Sequence, residues 1–304
     1  MTGFTYLKRP LRALRAWPPL NLPLTTAVRK AVQISGLQVG ALAQLLPRTG
    51  LVEAAMPGGG SLRLWSLADD DIAAHVFWEG WAGHEPETAH EFYRRASSAR
   101  VTLDIGAHVG YFSVLAGLAN PSSRVFAFEA LDAVYQRLTK NVSLNRLENV
   151  TCMQLAVGRE VGRARFYHVP RGIPSSSSLS GNFMEKVVRD QPVVSTEVSV
   201  TTVDSFLDSR ELSGVDLVKI DTEGTEDQVL EGMVRTLERD RPAIICEVVE
   251  ADVGARAEHI LAGFGYDFFL LTSEGPSTRA HMEPHPQFRN FLCLAEPSGT
   301  GGRA

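Results

Sequence analysis

Two clusters of glycine and carboxylate have residue types and spacing that could do chemistry. The first is Asp104-Ile-Gly106-Ala107-His108-Val-Gly110; the second is Lys219-Ile-Asp221-Thr-Glu223-Gly224-Thr-Glu226. In the first, Gly106 leaves backbone free to approach a ligand without a Cβ in the way, and Gly110 lets a following helix start close to the loop. The pattern is DxGxxxG rather than GxGxxG, so the tight cradle for a pyrophosphate is missing. No GxxxxGK[ST] phosphate loop occurs anywhere in the chain.

Asp104 at the mouth of that loop repels phosphate and favours a cation. S-adenosylmethionine, with a sulfonium, an ammonium and no phosphate, meets that requirement. Glu129 closes the apolar run Arg124–Ala130, at a strand end where a carboxylate accepts bonds from both ribose hydroxyls. A nicotinamide cofactor would use the same position, so the absent phosphate cradle makes the distinction. The bland alternative is two solvated strand-end carboxylates. Ala156-Val157, at the end of a third strand, are small and apolar enough to lie against an adenine.

In the second cluster, strand alternation puts Lys219 and Asp221 on one face and Ile220 on the other. Paired carboxylates at Asp221 and Glu223 could orient a cofactor, take a proton from a nucleophile or hold a divalent metal. The sequence allows such a metal without requiring it and assigns no residue as a metal ligand. The alternative is that the pair caps the following helix. Glu226 is read as facing solvent or Lys219. Glu247, in the run Pro242–Glu250, is a weaker candidate for the same cavity.

Other patterns are less informative. His281 and His285 are four apart like helical metal ligands, but Pro284 argues against a helix there. Ser175–Ser178 reads as a flexible loop that could touch a polar acceptor, and Trp78 and Trp81 as core residues that could line a pocket. No Ser/His/Asp order or CxxC spacing supports hydrolytic or redox chemistry.

The elements that must position these residues alternate from Arg100 onward. Strands are expected at 101–106, 124–130, 150–158, 215–221, 242–250, 266–271 and 291–295. Helices are expected at 111–118, 132–145, 225–237 and 255–264. Strands buried on both faces with helical crossovers imply an α/β fold, a doubly wound Rossmann-like sheet, mostly parallel. Between the third and fourth main strands, 163–169 and 193–203 alternate like an inserted antiparallel hairpin. Upstream lie a turn at Gly58–Gly60, a strand over Ser61–Leu67 and a helix over Glu87–Ala96. The expected organisation is an N-terminal helical and strand extension or cap over 1–84, a catalytic domain over 85–296 and a tail over 297–304.

The chain has 304 residues, 44% of them hydrophobic, with a formal net charge of -5, which argues against a nucleic-acid binder. Charge is unevenly spread. Residues 1–50 contain Lys8, Arg9, Arg12, Arg15, Arg29, Lys30 and Arg48 and no Asp or Glu. That resembles a targeting peptide or a membrane-surface arm, but Pro18, Pro19 and Pro23 would break a signal helix. Ile34, Leu37, Ala41 and Leu45 repeat at helical spacing, reading as an amphipathic helix on the domain, with peripheral membrane contact as the alternative. Cys152, Cys246 and Cys293 read as buried free thiols in a reducing, cytoplasmic setting.

DIGAHVGYFSVLA, RVFAFEA, VTTVDSFL and VKIDTEGTEDQVLEG, in this order from about Glu85 to Ala295, resemble the FkbM-type methyltransferase family. The KIDTEG turn with Glu226 is the most specific part. The resemblance implies an S-adenosylmethionine-dependent O-methyltransferase acting on a hydroxyl of a small molecule, sugar or glycan. It implies a cofactor site of Asp104, Gly106, Ala107, His108, Gly110, Glu129, Ala130 and Ala156, with Asp221 and Glu223 at the reacting end. Thr201, Thr202 and Asp204 match the family's TT-x-D element. Two departures stand out: His108 replaces a usual Asn, and Ala130 a usual Pro. The first still bonds the cofactor's carboxylate; the second loosens a turn without chemical consequence. The competing readings are a nicotinamide-dependent oxidoreductase and a non-catalytic binding module.

Overall fold

The computed structural model describes residues 17–35, 46, 48–170, 173–174, 176–188, 191–212 and 214–295. Leu37, Ala41 and Leu45 of the expected amphipathic helix lie outside them, as do the basic residues before Trp17 and the tail. The chain divides into two compact units, residues 1–86 with 143–146, and 87–142 with 147–304.

The first unit holds a helix, Pro18–Ser35, an antiparallel hairpin of β1 (Thr49–Ala55) and β2 (Ser61–Leu67), and a helix, Asp71–Glu79. The prolines do not break the first helix. Pro18 and Pro19 occupy its first turn, where backbone N–H groups have no intrahelical partner, and only Pro23 lies inside. The sequence reading anticipated β2 but not β1, whose Thr-Gly-Leu-Val-Glu-Ala-Ala has little β-branched character. Val52, Leu62 and Leu64 are fully buried, and Trp78 is buried beside Phe77 with its indole N–H donating to Leu46 O at 3.2 Å. Trp78 is therefore core. No helix among the described residues is long and apolar enough to cross a membrane.

The second unit is built on an eight-stranded sheet. Its strands are β3 (Val101–Ile105), β4 (Arg124–Phe128), β5 (Val150–Met153), β10 (Leu217–Ile220), β11 (Ala243–Glu247), β12 (Tyr266–Thr272), β13 (Gly275–Arg279) and β14 (Asn290–Ala295). The order is β13-β12-β14-β11-β10-β3-β4-β5. The five strands from β11 to β5 pair parallel, and β14 enters antiparallel between β11 and β12. Helices Tyr111–Ala119, Asp132–Leu144 and Ala251–Gly263 supply crossovers. The apolar strands therefore sit in a common core, which includes Leu103, Ile105, Phe126, Phe128, Val218 and Ile244. This is the α/β, mostly parallel architecture that the alternation implies.

The insertion is a second sheet. It comprises β6 (Ala156–Val157), β7 (Gly162–His168), β8 (Ser177–Ser178) and β9 (Val194–Thr201) in the order β6-β9-β7-β8, with a short helix, Gly181–Val187. The expected third strand over 150–158 is two strands. β5 stops at Met153, and Ala156-Val157 crosses over to pair with β9. The expected helix over 225–237 is likewise two, Glu226–Glu231 and Val234–Asp240. At the break, a Cβ on Gly232 would lie 2.1 Å from Gly158 O, so only glycine lets the insertion close on this turn. Asp204 locks the break, accepting N–H bonds from Arg235 and Thr236, both at 3.0 Å. Cys246 and Cys293 are buried free thiols, whereas Cys152 is only half-buried.

Candidate active site

The parallel strands deliver the carboxyl ends of β3, β4, β10 and β11 to one edge of the sheet. After β3 the chain turns through Gly106 and Ala107, whose N–H groups donate to Phe128 O at 3.1 and 2.9 Å. Gly106 has φ +81°, and a Cβ there would lie 1.8 Å from Asp221 O. Its glycine is thus required by the approach of the two strand ends, rather than only by a ligand as the sequence suggests. Gly110, φ +87°, caps the helix Tyr111–Ala119, and a Cβ would lie 2.5 Å from Leu138 Cδ1.

His108 lies between them at φ +51°. Asn and His enter this left-handed region more readily than most residues, which accounts for a histidine at a usual Asn position. Its ring Nε2 lies 2.9 Å from Pro174 O. A carbonyl only accepts, so Nε2 carries the donated proton.

Glu129 follows β4. Its Oε2 accepts the His108 N–H at 3.1 Å and its Oε1 the Leu131 N–H at 2.8 Å. Burial pushes this carboxyl up to about 7, against the opposing N–H groups of Leu131, His108 and Ala130. The Ala130 contribution revises the sequence reading of this position. A proline has no N–H, so alanine adds a donor beside Glu129. Ala130 and Ala156 are both buried in one small cluster with Val198 and Val200.

Asp104 is not at the mouth of the loop. Only 1% exposed, it accepts a hydrogen bond from Ser113 Oγ at 2.5 Å. Burial raises its pKa; the nearby Lys219 charge and Ser113 oppose the rise. Lys219 is equally buried, with Nζ 2.7 Å from Asp221 Oδ2 and 4.4 Å from the Phe112 ring centroid. Asp104, Lys219 and Asp221 thus lie together at the ends of adjacent strands beneath the loop.

The acidic turn is wound tightly, with Glu223 at φ +56° and Gly224 at φ +89°. Neither Asp221 nor Glu223 caps the next helix. Instead Glu226 folds back, its Oε1 accepting Thr222 N–H at 3.0 Å, Thr222 Oγ1 at 3.1 Å and Gly224 N–H at 3.1 Å. This corrects the expectation that Glu226 faces solvent or Lys219; it is 2% exposed. Burial, then the Asp221 charge, pushes Glu223 up to about 8, partly offset by a hydrogen bond from Ser176.

The serine-rich segment joins both halves of the site. Pro174 O receives the His108 proton, and Ser178 Oγ donates to Glu223 O at 2.7 Å. Ser177–Ser178 is a strand with Ser178 fully buried, so the flexible-loop reading fails here. Phe183 from the next helix covers the turn: a Cβ on Gly224 would lie 2.6 Å from its ring. Lys186 of that helix pairs with Glu250 after β11. The sequence reading missed Ser113 and Phe183; Ser113 lies one turn into the helix after the glycine loop, and the only signal for Phe183 was its place in the insertion.

Glu247 ends β11 with Oε1 3.8 Å from an Arg289 nitrogen. His281 and His285 are held apart by separate partners: His281 by Glu258 at 2.9 Å, and His285 by stacking on Phe288. Among the described residues, no group of three or more His, Cys, Asp or Glu side chains could hold a metal ion.

The methyltransferase FkbM domain profile matches residues 104–268, more than half of the chain. The chain belongs to the FkbM methyltransferase family. That match disfavours the nicotinamide alternative. "Methyltransferase 1" of Beauveria bassiana (strain ARSEF 2860) is 28% identical over 143 residues, covering 43% of this chain and 57% of that protein. "31-O-demethyl-FK506 methyltransferase FkbM" of Streptomyces tacrolimicus is 26% identical over 200 residues, covering 58% of this chain and 75% of that one. The chain thus spans little more than half the length of the first of these relatives. Among solved structures, methyltransferase FkbM from Methylobacillus flagellatus KT aligns with TM-score 0.39 and 17% identity, over 74% of this chain and 54% of that one. Within the FkbM family, the glycine loop and acidic turn described above both fall inside the matched span.

Proposed function

We propose that this FkbM-family chain is an S-adenosylmethionine-dependent O-methyltransferase acting on a hydroxyl of a small molecule, sugar or glycan. The observation that carries the reading is the meeting of Glu129, the glycine loop and the Asp221–Glu223 turn at one edge of the parallel sheet. S-adenosylmethionine, when bound, supplies a methyl group on a sulfonium leaving group. The residues fit such a ligand. The Glu129 carboxylate has about four lone-pair sites, so with the backbone N–H groups of Leu131, His108 and Ala130 bonded it still has acceptor capacity for a ribose hydroxyl. His108 and the helix N-terminus after Gly110 suit the ligand's carboxylate. The Ala130–Ala156 cluster offers a flat apolar wall to adenine.

The chain's own contribution is positioning and one proton. Asp221 is held by Lys219 and orients the turn. Glu223, not held in that way and pushed up to about 8, is matched to accept the proton of the acceptor hydroxyl near neutral pH. Ser178 and Phe183 hold the turn that carries this carboxyl, through Glu223 O and Gly224.

Calorimetry with adenosylhomocysteine tests the reading: wild type gives a clear heat and Glu129→Ala abolishes most of it. No heat with adenosylhomocysteine, together with a signal from NADH, overturns it.

A further inference from the structure

The helix Pro18–Ser35 is turned the wrong way for a water-facing helix. Among its described side chains the buried ones are Asn21, Thr25 and Val32, two of the three polar, and Asn21 Oδ1 accepts Thr49 N–H at 2.8 Å and Thr49 Oγ1 at 3.0 Å. Its exposed residues include Leu20, Pro23, Leu24, Ala27, Ala31 and Ile34. These recur at three- and four-residue spacing and form one stripe along the helix. Ile34 is 88% exposed. Helices surrounded by water show the opposite arrangement.

Beside this helix is an open hollow of about 340 Å³, lined by Thr26, Arg29, Arg48, Leu51, Glu53 and Phe77. The guanidinium carbons of Arg29 and Arg48 lie 4.7 and 5.0 Å from the Phe77 ring centroid. Arg48 donates to Leu22 O, Thr25 Oγ1 and Thr26 Oγ1, but the Nε of each arginine is buried without a hydrogen-bond partner. Glu53 does not neutralise them, being engaged by Arg63 at 2.9 Å. Nor can the first fifty residues supply a counter-charge, because they contain no Asp or Glu. Two like charges over one ring, with the lining carboxylate of Glu53 engaged by Arg63, make the hollow attractive to an anion.

We infer that the first unit docks on an anionic phospholipid surface, with the Arg29–Arg48 hollow receiving a headgroup phosphate and the Leu20–Ile34 stripe meeting the acyl boundary. An apolar helix face flanked by cations is the arrangement that binds such an interface, and the acid-free basic segment favours this partner over a second copy of the chain. The docking does not depend on the methyl-transfer reading.

The test is cosedimentation of the full chain with vesicles of phosphatidylcholine alone or mixed with phosphatidylglycerol, alongside its mass in solution and its thermal shift with inorganic phosphate. Binding is expected only to the mixed vesicles. Arg29→Gln should weaken it about fivefold and Ile34→Glu at least about tenfold. Both sites are at least partly exposed, and adenosylhomocysteine binding and circular dichroism check that each variant is folded. Equal binding to both vesicle types, or binding unaffected by both variants, overturns the inference. So does failure to sediment with either vesicle, whether the chain is instead a dimer dissociated by Ile34→Glu or is stabilised by inorganic phosphate alone.

Discussion

Lys219 and Asp104 are direct neighbours on adjacent parallel strands, and the Lys219 ammonium reaches onward to Asp221 at 2.7 Å. A fully buried cation thereby links the glycine loop's strand to the acidic turn's strand. Replacing it by methionine removes the charge that opposes the burial cost of Asp104 and the partner that holds Asp221. Lys219→Met should cost about 3–5 kcal/mol in urea unfolding, and adding Asp104→Asn should recover part of it.

Glu223→Gln should lower kcat by about 10²–10⁴-fold while leaving adenosylhomocysteine affinity within a few-fold. Asp221→Asn acts through position, releasing Lys219 and the turn, and should affect both quantities. If turnover survives Glu223→Gln, the proton goes elsewhere.

The wild-type rate should climb with pH and level off above about 8, because Glu223 must be ionised to accept a proton. Measuring kcat/KM across this range checks the assignment. A profile that is flat through neutrality would count against it.

Stability should move the opposite way. The carboxyls of Glu129 and Glu226 are raised to about 7, and that of Glu223 to about 8, from ordinary values near 4.5. Between about pH 4.5 and 8 the unfolded chain has already released these protons while the folded chain keeps them. The folded state is therefore progressively disfavoured as pH rises, and Tm should be higher near pH 5.5 than near pH 8. Glu223→Gln should flatten the upper part of that slope.

Gly106→Ala tests the contact between strand ends. The residue is in the left-handed region and its Cβ would strike Asp221 O at 1.8 Å. Backbone strain of about 1–3 kcal/mol and a displaced turn should follow, lowering both Tm and adenosylhomocysteine affinity.

By itself the sequence determined the sheet and the two clusters, because both depend on local pattern. Apolar runs such as Val101–Ile105 and Leu217–Ile220 have few ways to be buried other than as strands covered on both faces, and glycine with carboxylate at their ends marks the turns. Tertiary structure alone decided what each carboxylate does. Asp104 and Glu129 look alike in sequence, yet the first is sealed against Ser113 and Lys219 while the second is pinned by backbone N–H groups beside the loop. Glu226 looked like a surface residue until the turn closed around it, and the serine segment showed nothing of its reach from His108 to Glu223. Periodicity records which face of an element is apolar; the direction of a single polar side chain depends on neighbours distant in sequence, and it sets both burial and charge.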